Sequence, residues 1–243
     1  MGGIATVLGV GAVALLITSV VPRRGTGTPP ALWLLVGMSR AFLWCSGTRL
    51  EGSRLDAVRR HRGLVFFNHV SWLDIVVLLA VAPVRFLAAA GVRDLPVIGW
   101  MARAVGTVFV DRADPASRTA ARSGVSDALA ASAVPVALSP EGGVQDGPGL
   151  SPFRHGAFEV ARDAQAPVLL CAIQYEPMGY AGWLDDEPLP NALWRLCART
   201  TPFVARVDAL PDPIVPSNPI PDAELASHRL SSVLGVTPRR PAR

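Results

Sequence analysis

The segment LVFFNHVSWLD, residues 64–74, indicates the fold class because it joins a predicted buried strand, a tight turn and the start of a helix. Leu64–Phe67 is a short apolar run of the kind that forms a strand covered on both faces. Ser71 stands three residues before Asp74, which is the spacing of a capping box, and this predicts a helix over residues 72–81. A strand that leads directly into a helix is the repeating unit of α/β folds with parallel sheets.

Five further apolar runs later in the chain predict short buried strands, and helical patterns lie between several of them. The predicted strands cover residues 84–88, 105–110, 134–138, 168–173 and 203–207. The predicted helices cover residues 115–131, 152–163 and 223–234, and a Pro-rich connector covers residues 211–221. We therefore predict a single α/β domain over residues 51–243, with a largely parallel sheet flanked by helices and a Pro-rich C-terminal segment.

Residues 1–50 are predicted to be an N-terminal membrane anchor with interfacial helices. Residues 4–21 carry no charge, and about 18 residues is the lower limit for a spanning helix. Arg23 and Arg24 follow the run, which favours a cell-membrane protein with its C-terminal domain on the cytoplasmic side; a cleaved signal peptide is the alternative. Residues 31–45 contain Trp33 and Trp44 and are interrupted by Arg40. They are predicted either to lie in the membrane surface or to pack as a core helix.

Composition excludes several classes of function. All 23 basic residues are Arg and none is Lys, which rules out Schiff-base and P-loop lysine chemistry. The net charge of +4 suits phosphate groups or anionic lipid head groups, whereas the scattered Arg residues show no pattern typical of nucleic-acid binding. The three cysteines are odd in number and lack CxxC spacing, so we expect no disulfide framework and no structural zinc site. We also expect no metal and no cofactor elsewhere in the chain.

His69 has the most informative surroundings of the four histidines. It lies in the predicted turn at the carboxyl end of a strand, where α/β folds place their functional sites. Asp74 can reach it if His69 precedes the helix and Asp74 occupies the first turn. A carboxylate that accepts from one imidazole nitrogen leaves the other to take a proton from a hydroxyl. Alternatively, Asp74 only caps the helix and His69 is structural.

Five short motifs follow one another between residues 60 and 175. They are NHVSWLD at 68–74, GTVFVDR at 106–112, SPEGG at 139–143, PFRHG at 152–156 and APV at 166–168. In order and spacing they resemble the motifs of the glycerophospholipid acyltransferase family, to which 1-acylglycerol-3-phosphate acyltransferases belong. The resemblance implies that His69 is the general base and that Asp74 orients it. The acceptor hydroxyl of a lysolipid would then attack the thioester of acyl-CoA or acyl carrier protein directly, without an acyl-enzyme.

The third motif and the last residue of the second motif also have expected roles. Backbone N–H groups near Glu141, Gly142 and Gly143 are candidates to bind the oxyanion. Glu141 would order this loop or hold an acceptor hydroxyl, and Arg112 would bind an acceptor phosphate. For Arg112 a surface ion pair with a neighbouring Asp is the alternative.

The chain departs from the family pattern at two positions. The Thr or Ser that follows Glu-Gly is Gly143 here, and the Arg that commonly comes next is Val144. The acceptor site therefore lacks a hydroxyl and a guanidinium, which Arg154 or Arg112 would have to replace. The leading predicted acceptor is 1-acylglycerol-3-phosphate, in phospholipid biosynthesis; a lyso-aminolipid or glycolipid is the alternative. A hydrolase, a metal site at His69 and Asp74, and a non-catalytic membrane lipid-binding protein are competing interpretations.

Overall fold

The computed structural model describes residues 28–95, 98–144, 149–182 and 187–239. Within them, strands and helices alternate along the chain. The strands are β1 Thr48–Glu51, β2 Leu64–Phe67, β3 Arg85–Ala89, β4 Val108–Val110, β5 Val136–Leu138, β6 Val168–Glu176 and β7 Phe203–Ala209. The helices are α1 Pro30–Cys45, α2 Leu55–Arg60, α3 Leu73–Val81, α4 Ile98–Ala104, α5 Pro115–Ala131, α6 His155–Asp163, α7 Leu189–Cys197 and α8 Pro219–Leu234. Two 3-10 turns cover Ala90–Asp94 and Met178–Tyr180.

The strands form one sheet in the order β1-β7-β6-β2-β5-β3-β4. Every neighbouring pair of these strands is parallel except β6 and β7, which are antiparallel. The α/β class and the largely parallel sheet flanked by helices are thus confirmed. Strand β2 lies at the centre, so its carboxyl end opens at the middle of the sheet edge, where α/β proteins place their sites.

Strand β2 is buried on both faces because helices cover the sheet on both sides. Val65 and Phe67 belong to one hydrophobic core, which helices α1 and α3 complete. Leu64 and Phe66 belong to the other core, which is completed by α5, α6 and α8. This double burial explains why the strand has no polar residue until Asn68.

Several boundaries differ from the predictions for physical reasons. Strand β4 begins at Val108 rather than at residue 105, because α4 runs to Ala104 and Gly106 then takes a φ of +78°. Helix α6 begins at His155 rather than at residue 152, because the preceding segment is bonded to the loop after β5: the Arg154 N–H donates to the Pro140 carbonyl at 2.8 Å. The last helix begins at Pro219 rather than at residue 223, inside the predicted connector 211–221. The reason is that Asn218 caps it by accepting from the N–H of Ile220 at 3.4 Å, and Pro219 suits the first helical position.

Helix α1 packs against the domain, which is the second of the two alternatives for residues 31–45. Leu32 is fully buried, and Leu35 and Phe42 are also buried in the core shared with α3. Trp33 and Trp44 point outward, with 55% and 82% of their surface exposed. The predicted anchor at residues 4–21 lies outside the described residues, and no described helix combines the length and apolarity needed to cross a bilayer.

We expect Leu32→Ala to lower the free energy of unfolding by about 2–5 kcal/mol, because it leaves a cavity between α1 and the domain. Trp44→Ala removes a larger but exposed side chain of the same helix and should change it by no more than about 0.5 kcal/mol. Chemical unfolding of both variants in neutral detergent, followed by near-ultraviolet circular dichroism, measures the difference. Equal effects would mean that α1 does not belong to the folded domain.

Candidate active site

The polar residues of the candidate site collect at the carboxyl ends of parallel strands. His69 follows β2, Arg112 follows β4 and Glu141 follows β5, while Tyr175 lies near the end of β6. These four strands run in the same direction, so their carboxyl ends share one edge of the sheet. The topology therefore brings together residues that are up to about a hundred positions apart in the chain.

The structure places His69 and Asp74 in direct contact. Nδ1 of His69 lies 2.7 Å from Oδ2 of Asp74. Since an ionised carboxylate can only accept, Nδ1 carries the proton and Nε2 is the basic nitrogen of the ring. The Asp74 side chain is fully buried, whereas 19% of the His69 side chain is exposed. A substrate can thus reach the imidazole but not the carboxylate that orients it.

Asp74 also caps helix α3 with the same oxygen. Oδ2 accepts hydrogen bonds from the backbone N–H groups of Val70 at 2.9 Å and Ser71 at 3.0 Å. The Ser71 hydroxyl accepts from the N–H of Leu73 at 3.0 Å, one residue short of the regular capping box, and the N–H of Asp74 donates to the Ser71 carbonyl at 3.2 Å. Capping and orienting His69 were alternative interpretations of the sequence, and the structure shows that one carboxylate does both.

Tyr175 is a member of the site that the sequence analysis missed. Its hydroxyl donates to Oδ1 of Asp74 at 2.6 Å, and its ring stacks on Phe203 with 5.7 Å between ring centres. Burial, followed by the negative charge of Asp74, raises the pKa of Tyr175 well above its ordinary value, so the phenol remains a donor. The available signal was a tyrosine just after the apolar run 168–173, because a buried phenol needs a hydrogen-bond partner.

Asn68 fixes the turn to the central strands. Its Nδ2 donates to the carbonyl of Ile173 at 2.9 Å, and its Oδ1 accepts from the N–H of the same residue at 2.7 Å. The side-chain amide thereby imitates one more rung of the β2–β6 ladder just after β2 has ended. The chain leaves the sheet at this point, which sets the position of His69.

Glu141 connects two loops rather than facing solvent. Its Oε1 accepts from the backbone N–H of His69 and its Oε2 from that of Ser151, both at 2.9 Å. Only 4% of the residue is exposed. Burial raises the pKa of Glu141, although the two N–H donors act in the opposite direction. Of the two predicted roles, these contacts match the ordering of the loop.

Two guanidinium groups converge on the loop after β5. Arg112 donates through Nη1 to the carbonyl of Gly142, and Arg154 donates through Nε to the carbonyl of Glu141 at 3.2 Å. Burial, and then the nearby charge of Arg154, lowers the pKa of Arg112. Both residues are exposed to solvent, and a bound anion would relieve the repulsion between them.

The glycine loop differs from the predicted oxyanion site in one respect. The N–H of Gly142 donates to the carbonyl of Ser139 at 3.3 Å, so it is engaged within its own turn. Gly142 has a φ of +87°, and its Cα faces Arg154. Its backbone conformation and close approach to Arg154 therefore require glycine. Across the described ranges, no cluster of three or more His, Cys, Asp or Glu residues could hold a metal ion.

Comparison with known proteins gives matches over this same region. A family model described as Acyltransferase matches residues 49–174. A 1-acyl-sn-glycerol-3-phosphate acyltransferase from Neisseria meningitidis serogroup B is 37% identical over 170 residues, which cover 67% of this chain and 65% of that protein. A lyso-ornithine lipid O-acyltransferase from Brucella abortus is 37% identical over 137 residues, or 55% of this chain and 51% of the relative. The chain thus spans between about half and two thirds of the length of these relatives.

The fold is also similar to a solved structure. The crystal structure of the 1-acyl-sn-glycerophosphate (LPA) acyltransferase PlsC from Thermotoga maritima superimposes with a TM-score of 0.66 at 16% sequence identity. The match covers 96% of this chain and 92% of that one. At this identity the likeness concerns the fold alone.

We expect Gly142→Ala to lower kcat/KM for any substrate of this site by about 10- to 100-fold. A Cβ there would contact Arg154 Nε and lie 2.8 Å from its Cδ, so the guanidinium must move, and a positive φ strains any residue with a Cβ. Gly143→Ala is the matched control, because its Cβ would meet no atom within 4 Å, and we expect a change of about twofold at most. Steady-state kinetics of the two variants measure the contrast, and equal losses would show that the Gly142–Arg154 contact is unimportant.

Proposed function

This chain belongs to the Acyltransferase family, and on that premise we propose that it transfers a fatty acyl group from a thioester to a hydroxyl of a lysolipid. The observation that carries the proposal is the hydrogen bond between His69 and the buried carboxylate of Asp74. It leaves one basic imidazole nitrogen at an accessible position, with two guanidinium groups on the neighbouring loop. The site thus combines a general base with an anion-binding surface.

In the proposed reaction, Nε2 of His69 takes the proton of the acceptor hydroxyl as the oxygen attacks the thioester carbonyl. The attack forms the new C–O bond and turns the carbonyl oxygen into an oxyanion. The tetrahedral intermediate then re-forms the C=O bond as the C–S bond breaks, and the proton passes from Nε2 to the leaving thiolate. Asp74 holds the ring by its Nδ1–H and stabilises the imidazolium between the two steps. A positioned base of this kind contributes about 10²- to 10⁴-fold to the rate.

We propose Arg112 and Arg154 as the residues that bind the anionic head group of the acceptor. Each guanidinium bonds one backbone carbonyl and retains further donors, which suit the oxygens of a phosphate or carboxylate. 1-Acylglycerol-3-phosphate, with its phosphate monoester, is our leading acceptor. Relatives of equal identity act, by their names, on 1-acyl-sn-glycerol-3-phosphate and on lyso-ornithine lipid.

A lyso-aminolipid is the second candidate acceptor, and Gly143 and Val144 favour it. These two positions carry neither the hydroxyl nor the guanidinium that the resemblance led us to expect for an acceptor with a glycerol phosphate. A carboxylate requires fewer donors than a phosphate dianion. For the thioester we propose acyl-CoA or acyl carrier protein, and we place the reaction at the cytoplasmic side of the cell membrane, where lysolipids and a cytosolic donor meet.

We expect wild-type protein in lipid–detergent micelles to acylate a lysolipid, and His69→Ala to do so about 10²- to 10⁴-fold more slowly because it lacks the base. His228→Ala is the matched control, since that histidine is exposed on α8, and it should retain wild-type activity. Each variant is incubated with labelled acyl-CoA or acyl carrier protein and with 1-acylglycerol-3-phosphate, lyso-ornithine lipid or no acceptor.

The identity of the labelled product assigns the acceptor and the donor. Release of free fatty acid at the same rate with and without acceptor would make the protein a hydrolase. Absence of every product from folded wild-type protein, or full activity of His69→Ala, would contradict acyl transfer by this site.

A further inference from the structure

A second basic cluster lies at the opposite end of the sheet from His69. It surrounds a cavity of about 240 Å³ whose walls include Arg40, Arg59, Arg62 and Trp33. The cavity also touches residues 133–135, which precede β5, so it opens at the amino ends of the strands. The candidate active site is at their carboxyl ends. From its composition we propose that this cavity binds the phosphate group of an anionic membrane lipid.

Hydrogen bonds to backbone carbonyls hold the guanidinium groups of Arg40 and Arg59 in place without a ligand. Nε of Arg40 donates to the carbonyl of Ala80 at 2.8 Å, and Nε of Arg59 donates to that of Val81 at 3.1 Å. These carbonyls end α3, where the helix dipole favours positive charge. Bonds through Nε still leave the terminal nitrogens as potential donors, and a pair of such nitrogens matches the geometry of a phosphate.

The cluster carries more positive charge than its neighbours neutralise. Arg59 forms an ion pair with Asp56 at 2.7 Å, while Nη1 of Arg62 donates to backbone carbonyls, the nearer being that of His61 at 3.0 Å. Among the described residues, three guanidinium groups around this cavity thus have one carboxylate as an ion-pair partner. An oxyanion is the ligand class that this surplus attracts.

The apolar wall indicates a lipid rather than free phosphate. Trp33 lines the cavity and is exposed, and it lies on the outward side of α1 together with Arg40 and Trp44. Spacings of seven and four residues return to nearly the same side of a helix. Tryptophan is enriched at membrane–water interfaces, and arginine near such a surface pairs with lipid phosphate. The cavity would hold a head group while the outward side of α1 lies against the bilayer.

The test is a lipid titration of the full chain in neutral detergent, read out as the midpoint temperature of unfolding, because a ligand of the folded state raises it. The probes are phosphatidylglycerol, phosphatidylcholine and inorganic phosphate. We expect phosphatidylglycerol to stabilise the wild type and Arg62→Gln to need about tenfold more of it, since one charge-assisted hydrogen bond is lost. Arg229→Gln is the matched control: Arg229 also donates to backbone carbonyls, but it lies on α8, on the other face of the sheet.

Two further variants test whether the guanidinium groups form a specific phosphate site. Arg40→Lys keeps the charge but loses the planar fork, so a phosphate site predicts a loss similar to that of Arg62→Gln. Phosphatidylglycerol should raise the midpoint temperature of unfolding of Arg154→Gln as much as that of the wild type, because Arg154 lies at the candidate active site and not at this cavity. Arg62→Gln should also acylate micelle-dissolved lysolipid at the wild-type rate, which separates this proposal from the proposed function.

Each of four results would contradict the proposal that this cavity binds a lipid phosphate. Stabilisation that Arg62→Gln leaves unchanged would place the lipid elsewhere, and stabilisation that Arg154→Gln abolishes would place it in the candidate active site. If Arg40→Lys binds phosphatidylglycerol as tightly as the wild type, the stabilisation comes from a general attraction between charges and not from a phosphate site. An equal effect of inorganic phosphate would assign the cavity to a soluble anion instead of a lipid.

Discussion

The carboxylate of Asp74 is the constraint on which the rest of the site depends. One oxygen accepts from His69 Nδ1 and from two backbone N–H groups of the turn, and the other accepts from the phenol of Tyr175. A fully buried carboxylate is tolerated only when its charge is met by such donors. The same bonds start helix α3, close the turn after β2 and set the tautomer of the imidazole. The conformation of this turn and the orientation of the His69 ring therefore depend on the same hydrogen bonds.

The remaining architecture supplies the surroundings that this turn needs. The central position of β2 opens the turn at the middle of the sheet edge, and Asn68 ties it to the neighbouring strand β6. Glu141 holds the turn from the other side by accepting the backbone N–H of His69. The loop that carries Glu141 also receives Arg112 and Arg154 through its carbonyl groups. The turn that carries His69 and the two guanidinium groups are thus linked through a single buried glutamate.

The features that could be predicted from the sequence are those that depend on residues close together in the chain. Strand β2 and helix α5 have the predicted bounds, because a doubly buried strand is uniformly apolar and Asp114 with Pro115 marks the helix start. Short elements escaped prediction: β1 has alternating exposure and only four residues, too few for a periodic pattern. Tyr175 was missed because its contact with Asp74 crosses about a hundred residues, a pairing that only the tertiary fold creates.

The central claim is that Asp74 serves folding and chemistry through the same oxygen. The most direct measurement compares the free energy of unfolding and the acyl-transfer rate of Asp74→Asn with those of His69→Ala. An amide cannot accept all the bonds of the carboxylate, so we expect Asp74→Asn to lose about 2–4 kcal/mol of stability and about 10²- to 10⁴-fold in rate. His69→Ala removes one donor to the carboxylate but keeps the backbone and tyrosine donors, so it should lose as much rate and clearly less stability than Asp74→Asn. If Asp74→Asn keeps wild-type stability or wild-type activity, Asp74 does not both stabilise the turn and orient His69 for acyl transfer.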